Sequence, residues 1–461
     1  MVQTCSMLPF VEIVDRAHTG PVCSAKEWDI KVLPKKAKEK VEKYGIKFDP
    51  DNLIPSDNSL ADAAYQAGFE LAVETGVLCM DTERIIKISE EELKAAIREA
   101  KRELTFGSGA DEVLWHARKP EDRRPLRSHA GPFGTAISED IYVPVHQAYA
   151  HNHQVDSLEA GSLPSVYGRD IKAGTPYEVL GFMLDVRLQR EAVRRAGRPG
   201  MPITGDDATG IGHLASSSYG HLTVADHFNV SMPADLKTYY FLLNKVAHAT
   251  IQGFKINGFS HSAIGGYTGG PESATVVSVA EALMIVAVLK SEITNADPYD
   301  VRYFTNSNPE AMWAMSLSTQ AIARNTNLIY GANVDAAAGP CTDTLLYEVA
   351  SGAINNTVSG AAYVNGVRPI CGRYRDYVGI LEAYLMCEVE VATCGMKRED
   401  ANELVKKILP KYETAVKSKK APIGKPLKEC YDLTHFKPSQ EWQGIYSKVK
   451  KDLSDLGIPM A

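Results

Sequence analysis

The chain lacks closely spaced cysteines, a block of basic residues and a long apolar run. Its eight cysteines are scattered over 461 residues without a C-x-x-C pair, which argues against a zinc ribbon, a redox dithiol or a disulfide framework and fits a reducing cytoplasm. The net charge of −7 does not indicate a basic surface that would bind nucleic acid or an anionic membrane. The lysine-rich stretch 35–43 is interrupted by Glu39 and Glu42, so we interpret it as a solvated helix face.

Targeting and membrane signals are also scarce. The first 16 residues have no basic leader and already contain Glu12 and Asp15, which does not fit a secretory signal. The longest apolar run, 282–289, is too short to cross a bilayer. We therefore expect a soluble, cytoplasmic protein.

What the chain has is an ordinary globular composition, 44% apolar and 23% charged, with a change of pattern near Pro125. Residues 1–124 read as a helical extension with few strand signals. Residues 125–397 alternate short strand candidates with apolar helical stretches, and residues 398–461 read as C-terminal helices. The amphipathic pattern from Pro176 to Arg195, for example, predicts one helix that packs against a sheet.

Eight strand candidates in the middle region end in small or polar residues. They end within residues 128–131, 158–161, 203–205, 223–227, 256–259, 301–305, 328–333 and 361–365. Eight strand and helix units in about 250 residues are typical of a (β/α)₈ barrel. The predicted fold class is therefore α/β, a TIM barrel with an N-terminal helical extension and C-terminal helices.

Two sequence patterns resemble cofactor sites but lack the neighbouring strand or the further ligands that such sites need. Gly210-Ile-Gly-His-Leu-Ala215 has the G-x-G-x-x-A spelling of a dinucleotide loop, but no strand directly precedes it, so we interpret it as a mobile loop after a barrel strand. Five histidines, at positions 213, 221, 227, 248 and 261, could offer zinc ligands. Because neither a cysteine nor an H-x-x-E-H motif lies among them, we interpret these histidines as hydrogen-bonding or core residues and predict no metal site.

Polar and aromatic residues at the predicted strand ends are the candidate site. They are His129, Glu159, Thr204, Asp226, His227, Phe259, Tyr330 and Asn333, with His261 just beyond the fifth strand. In a barrel these ends meet at one mouth. Carboxylates and aromatic faces there suit a cationic ligand, because negative charge and a ring quadrupole both attract it. The alternative is that each caps a loop or a helix, and Asp226 is the most plausible N-cap.

Several short sequence motifs, in the same order along the whole chain, resemble those of one protein family. They lie at residues 15–17, 28–29, 81–87, 137–140, 144–146, 197–201, 265–270, 338–342 and 429–432. The chain is similar to the monomethylamine methyltransferases of methylamine-using archaea and bacteria. The resemblance implies a (β/α)₈ barrel, a homohexamer, and transfer of a methyl group to the Co(I) corrinoid of a separate small protein. No corrinoid-binding D-x-H-x-x-G word occurs in this chain, so the cobamide is expected on a partner that docks over the mouth.

The chain departs from that family at Thr204, which stands where the resemblance places pyrrolysine. Other positions of the implied pocket change with it. The family's glutamate falls on or beside Phe259, its glutamine on Asn333, a serine on Tyr330 and a valine on Glu159. In this interpretation Thr204 and Asn333 are the catalytic candidates, and His129, Glu159, Asp226, His227, Phe259, His261 and Tyr330 bind the substrate.

The chemistry of the leaving group then predicts the donor. Co(I) attacks a methyl carbon in line, and a neutral amine leaves poorly, whereas a quaternary ammonium or sulfonium leaves as a neutral molecule. Without pyrrolysine the enzyme is expected to use such an activated methyl cation. The alternatives are an inactive paralogue that binds the corrinoid protein, and a zinc-assisted methyltransferase that uses the histidines.

Overall fold

Eight parallel strands close into a barrel at the centre of the chain. A computed structural model describes residues 2–205, 209–218 and 220–460. The barrel strands are Arg127–Ala130, Ser157–Leu158, residues 203–204, His227–Ser231, Lys255–Ser260, Ile293–Ala296, Ile329–Asp335 and Tyr363–Arg368. Seven of them form one sheet, and parallel bridges from Leu158 to Ile203 and from Thr204 to His227 insert the short third strand between the second and the fourth. The predicted (β/α)₈ barrel is confirmed.

A helix follows every barrel strand. In chain order these helices are Tyr142–Ala150, Pro176–Arg195, Gly210–Ser217, Tyr240–Gln252, Pro271–Leu289, Pro309–Asn325, Asp343–Ser359 and Leu381–Thr393. Three of them start with proline in the first turn, where its fixed φ suits a helix and its missing N–H leaves no broken hydrogen bond. The predicted helix from Pro176 to Arg195 is confirmed.

The N-terminal extension contains both helices and strands. Its helices are Val2–Thr19, Ala25–Glu27, Leu33–Tyr44, Asn58–Thr75 and Glu90–Glu99, with a π-helical turn at Trp28–Val32. Its strands form two antiparallel pairs, Val77–Cys79 with Arg84–Ile86 and Glu103–Phe106 with Val113–His116. The second hairpin was not expected from the sequence, and it closes one end of the barrel.

The C-terminal residues form the helices Arg398–Ile408, Glu413–Lys417, Leu427–Cys430 and Gln440–Asp455. Short additional strands are Ser165–Val166, Arg169–Asp170, Lys237–Thr238, Ala263–Ile264, Tyr299–Asp300, Tyr431–Asp432 and Lys437–Pro438. The boundaries of the three regions, after residues 124 and 397, stay predictions.

The helix Pro271–Leu289 is the most deeply buried of the barrel helices. By length and composition it could cross a membrane, but 89% of its most apolar window is buried inside the protein. It packs against the extension helix Asn58–Thr75, where a Cβ at Gly68 would lie 2.4 Å from Cγ1 of Val279. Such close packing on all sides is typical of a core helix in a globular fold.

Two strand predictions were wrong in position. The fourth strand begins at His227, so residues 223–227 lie at its start and not at its end. The sixth strand is Ile293–Ala296, whereas residues 301–304 form turns in which Arg302 donates hydrogen bonds to the Asp300 carboxylate. Val301, Tyr303 and Phe304 are typical strand residues, but here local side-chain bonding holds their backbone in turns.

Candidate active site

The amino end of the barrel is closed by the hairpin Glu103–His116. Its Phe106 and Trp115 are fully buried and form an apolar cluster with Ile293, Ile329 and Tyr363 from the barrel interior. The Trp115 ring lies 4.8 Å from the rings of both His227 and Tyr363. Since this end is filled by side chains, a ligand can meet the barrel interior only at the carboxyl end, where barrel enzymes place their sites.

A polar network connects the first three strands near that end. The Thr204 hydroxyl accepts a hydrogen bond from the Ala160 amide at 2.9 Å and lies 3.3 Å from the Glu159 carboxylate. The Glu159 carboxylate contacts Nε2 of His129, whose Nδ1 contacts the Ser157 hydroxyl. The structure therefore brings three predicted site residues, Thr204, Glu159 and His129, into one chain of contacts.

Asparagines occupy the interior of all five strands from the fourth to the eighth. They are Asn229, Asn257, Asn295, Asn333 and Asn365, and each is at least 93% buried. Asn257 Nδ2 donates to Asn229 Oδ1 at 3.0 Å, and Asn295 Nδ2 donates to Asn333 Oδ1 at 2.8 Å. Buried amides need partners, and this arc places amide groups on five consecutive strands of the barrel.

Two carboxylates lie above the arc at the ends of the sixth and seventh strands. Asp335 accepts a hydrogen bond from Arg368 Nε at 2.6 Å. Asp297 accepts one from Asn295 Nδ2 at 3.2 Å. Both carboxylates are fully buried. Asp297 Oδ1 and Asp335 Oδ2 have no hydrogen-bond partner within the described part of the chain.

Burial and charge shift two titrating groups at this mouth. Burial, reinforced by the neighbouring Asp335 charge, raises the pKa of Asp297 well above its usual range, because a buried carboxyl without a cation favours its neutral form. Loss of solvent, together with Arg368, lowers the pKa of His261 to about 4. At neutral pH His261 is therefore an uncharged hydrogen-bonding group near Phe259, whose ring centroid lies 6.4 Å away.

Three predicted site residues lie elsewhere. The Tyr330 side chain points out of the barrel wall, where its hydroxyl donates to the Ala296 carbonyl at 2.7 Å. His227 stacks on Phe106 at 4.1 Å in the closed amino end. Asp226 lies at that end too, accepting hydrogen bonds from the Ile203 amide and from Arg190. The prediction that these three residues face the mouth was wrong.

The remaining sequence motifs take up structural positions. The G-x-G-x-x-A motif at residues 210–215 lies inside the helix Gly210–Ser217 and is not the loop that we expected. Residues 206–208, which precede it, lie outside the described part of the chain. His213 packs on the Phe228 ring at 4.2 Å, and His248 Nε2 lies 2.9 Å from the Ser217 hydroxyl. Within the described residues, no group of three or more His, Cys, Asp or Glu side chains has a metal-binding arrangement.

Sequence reasoning missed Asn295, Asp297, Asp335 and Arg368. Asp297 was overlooked because the sixth strand was placed too late. A signal was available, since Ile-Thr-Asn-Ala-Asp at 293–297 and Gly-Ala-Asn-Val-Asp at 331–335 both put an amide and then an acid on one side of a strand at the two-residue spacing.

The whole chain, and not the mouth alone, matches a known family of proteins. The family model of monomethylamine methyltransferase MtmB covers residues 8–458. The chain belongs to the MtmB family. The MtmB of Methanosarcina mazei is 33% identical over 97% of each chain, and an MtmB1 of Methanosarcina barkeri is 32% identical over the same share.

Solved structures of the MtmB family have the same fold. The crystal structure of the Methanosarcina barkeri monomethylamine methyltransferase superposes with a TM-score of 0.94 at 32% identity, covering 97% of this chain and 98% of that one. A crystal structure of a hydroxylamine complex of MtmB matches equally well. Members of this family are corrinoid-dependent methyltransferases, and the chain is therefore an enzyme of that class.

Proposed function

We propose that this MtmB family member transfers a methyl group from a small methylated cation, a quaternary ammonium or a sulfonium, to the Co(I) corrinoid of a separate protein, without pyrrolysine. The proposal rests on the burial and the hydrogen bonding of the Thr204 side chain. Its side chain is fully buried, and its hydroxyl is already engaged by the Ala160 amide and the Glu159 carboxylate. A hydroxyl in this state offers no electrophile for an amine, so activation has to come with the donor.

The contribution of the chain itself is binding and orientation. The corrinoid, carried by the partner, supplies a Co(I) nucleophile. Phe259 and the buried acids Glu159, Asp297 and Asp335 favour a cation at the strand ends, while Asn333 and His129 are placed to orient a polar end of the donor. Aligning the methyl carbon with the nucleophile accelerates an in-line transfer. No proton transfer is needed, because the departing group leaves neutral.

The test is methylation of reduced corrinoid protein by the purified enzyme across a panel of donors. The panel holds a quaternary ammonium, a sulfonium, trimethylamine and methylamine, and the cobalt spectrum reports the product. We expect turnover with at least one onium compound and none with methylamine. Turnover of methylamine by the unmodified chain, or no turnover with any donor, would contradict the proposal.

A second candidate function rests on the same residue. Because Thr204 is buried and fully hydrogen-bonded, the chain could serve as an inactive paralogue that binds the corrinoid protein. That function predicts tight binding of the partner that no donor alters. Calorimetry of the partner, with and without the onium panel, separates it from the enzyme.

Exposed aromatic residues surround the mouth and favour a docked protein partner there. Tyr167, Tyr267, Phe304 and Tyr374 stand on the loops after the second, fifth, sixth and eighth strands, and Tyr167 and Tyr267 are 74% and 57% exposed. Large exposed aromatic side chains are frequent anchors of protein interfaces. We therefore place the corrinoid protein over this rim.

Replacing Tyr267 by alanine is expected to raise the KM for the corrinoid protein about tenfold, because an anchoring ring is lost. The affinity for the small donor should stay unchanged. The matched control is Leu114→Ala, which also removes an exposed apolar side chain, 45% exposed, but at the closed end of the barrel. An equal effect of both variants in steady-state kinetics would argue against docking at the mouth.

The resemblance implies a homohexamer, which light scattering on the purified chain can establish. A cytoplasmic location is consistent with the seven cysteines from Cys23 to Cys430, which are free thiols, and fractionation of the source cells tests it.

A further inference from the structure

We propose that Asp297 is the residue that selects a positively charged donor, with Asn295 and Asn333 holding its carboxyl group in place. The inference rests on the proposed function and names the part of the mouth that recognises the cation. Sequence reasoning did not point to Asp297, and its role follows from the geometry of the sixth and seventh strands.

The first step is the position of the Asp297 carboxyl group. Asp297 directly follows the sixth strand, its amide donates to the Ser260 carbonyl at 3.0 Å, and its side chain is fully buried. Asn295 Nδ2 donates both to Asp297 Oδ2 at 3.2 Å and to Asn333 Oδ1 at 2.8 Å. Because Asn295 faces the barrel interior, this shared donor holds the Asp297 carboxyl group on the inner side, across the mouth from Thr204.

The second step is the unused bonding capacity at this point. Asp297 Oδ1, Asn295 Oδ1 and Asn333 Nδ2 have no hydrogen-bond partner among the described residues. Leaving a buried polar atom without a partner costs about 1–3 kcal/mol. Three such atoms around one carboxyl group, at the end of the barrel where ligands bind, point to a group that arrives from outside.

Ion pairing distinguishes Asp297 from the other two acids at the mouth. Glu159 contacts His129, and Asp335 is paired with Arg368. None of the ion pairs of the described residues includes Asp297, so the negative charge that its ionised form carries has no paired cation. A cation at this point would compensate it, whereas a neutral ligand of the same shape would not.

Binding of a cation is expected to displace a proton from Asp297. Burial and the charges of Asp335 and Glu281 raise the pKa of Asp297, and Arg368 opposes them. The raised pKa favours the protonated form of this carboxyl group in the empty protein. When a cation binds, the O–H bond of the carboxyl breaks, the electron pair stays on the carboxylate, and the proton passes to the buffer.

The experiment compares two soluble probes by calorimetry: choline, and the alcohol in which a quaternary carbon replaces the choline nitrogen. It uses the wild-type chain, Asp297→Asn, and Glu390→Gln as the matched control. Glu390 is another buried carboxyl with a raised pKa, but it accepts from Ser128 on the helix side of the first strand. Each titration is run in two buffers of different ionisation enthalpy, which counts the protons released.

We expect the wild-type chain and Glu390→Gln to bind choline at least about tenfold more tightly than the neutral alcohol, with release of a proton, and Asp297→Asn to lose both effects. If Asp297→Asn keeps the preference, Asp297 is not the selecting residue and the proposed function survives. If the wild-type chain prefers the cation without releasing a proton, the role of Asp297 is overturned whatever the variant does. If the wild-type chain shows no preference, this role of Asp297 is overturned, and the panel of methyl donors decides the proposed function by itself.

Discussion

Replacing Trp115 by alanine is expected to lower the free energy of unfolding by about 3–5 kcal/mol. Trp115 is fully buried, and its ring contacts Phe106, His129, His227 and Tyr363 at centroid distances of 4.8 to 5.9 Å. Removing the indole leaves a cavity under the barrel, and its neighbours belong to separate strands that cannot easily move to fill it. Urea or guanidinium unfolding measures the change.

The same substitution is also expected to reduce catalysis at the mouth. The edge of the Trp115 ring lies against His129, and His129 contacts Glu159, so a cavity below frees the histidine to move. The control is Leu114→Ala, because Leu114 is the adjacent residue on the exposed face of the hairpin. A loss in Trp115→Ala no larger than that of Leu114→Ala would show that the hairpin does not support the barrel.

Replacing Asp226 by asparagine is expected to destabilise the protein by about 3 kcal/mol, because it removes the buried partner of a half-buried ion pair. The Asp226 carboxylate accepts from Arg190 at 2.7 Å and from the Ile203 amide at 3.0 Å. It therefore ties the helix Pro176–Arg195 to the third strand. The amide side chain keeps the shape but leaves the Arg190 guanidinium without its carboxylate.

The effect of Asp226→Asn tests whether Asp226 belongs to the donor site, as the sequence predicted. If Asp226 bound the donor, the variant would lose donor affinity at a temperature where it is fully folded. Since Asp226 lies at the closed end of the barrel, we expect an unchanged donor KM in the folded variant and a lower unfolding midpoint. Thr223→Val is the matched control, because it removes one hydroxyl donor to the same carboxylate without unpairing a charge, and it should cost about 1 kcal/mol.

Much of the fold could be predicted from local pattern. The helix from Pro176 to Arg195 and six of the eight strands follow from apolar periodicity and from the polar residues that end each strand. The sixth strand was missed because Val301, Tyr303 and Phe304 have the composition of a strand, while the hydrogen bonds between Arg302 and Asp300 hold them in turns. Composition cannot distinguish these two outcomes, because the deciding contacts are between side chains.

The site was predicted only in part. Thr204, Glu159 and His129 were expected to come together, and they do lie in contact with one another. Tyr330 was not identifiable as outward-facing, because a shift of one residue along a strand reverses the side on which a side chain lies. Asp226 and His227 were assigned to the wrong end of the fourth strand, because the start and the end of a short strand both carry polar residues.

The sequence alone determined the family, the barrel class and the presence of a threonine at position 204, since each depends on residue identity or on periodicity along one chain. Only the tertiary structure decided which polar residues meet. Asp297 became a candidate because the sixth and seventh strands lie side by side, which sets Asn295 against Asn333 and leaves one buried carboxyl group without a cation. That arrangement depends on strand register and burial, and neither quantity can be derived from the order of residues in a single strand.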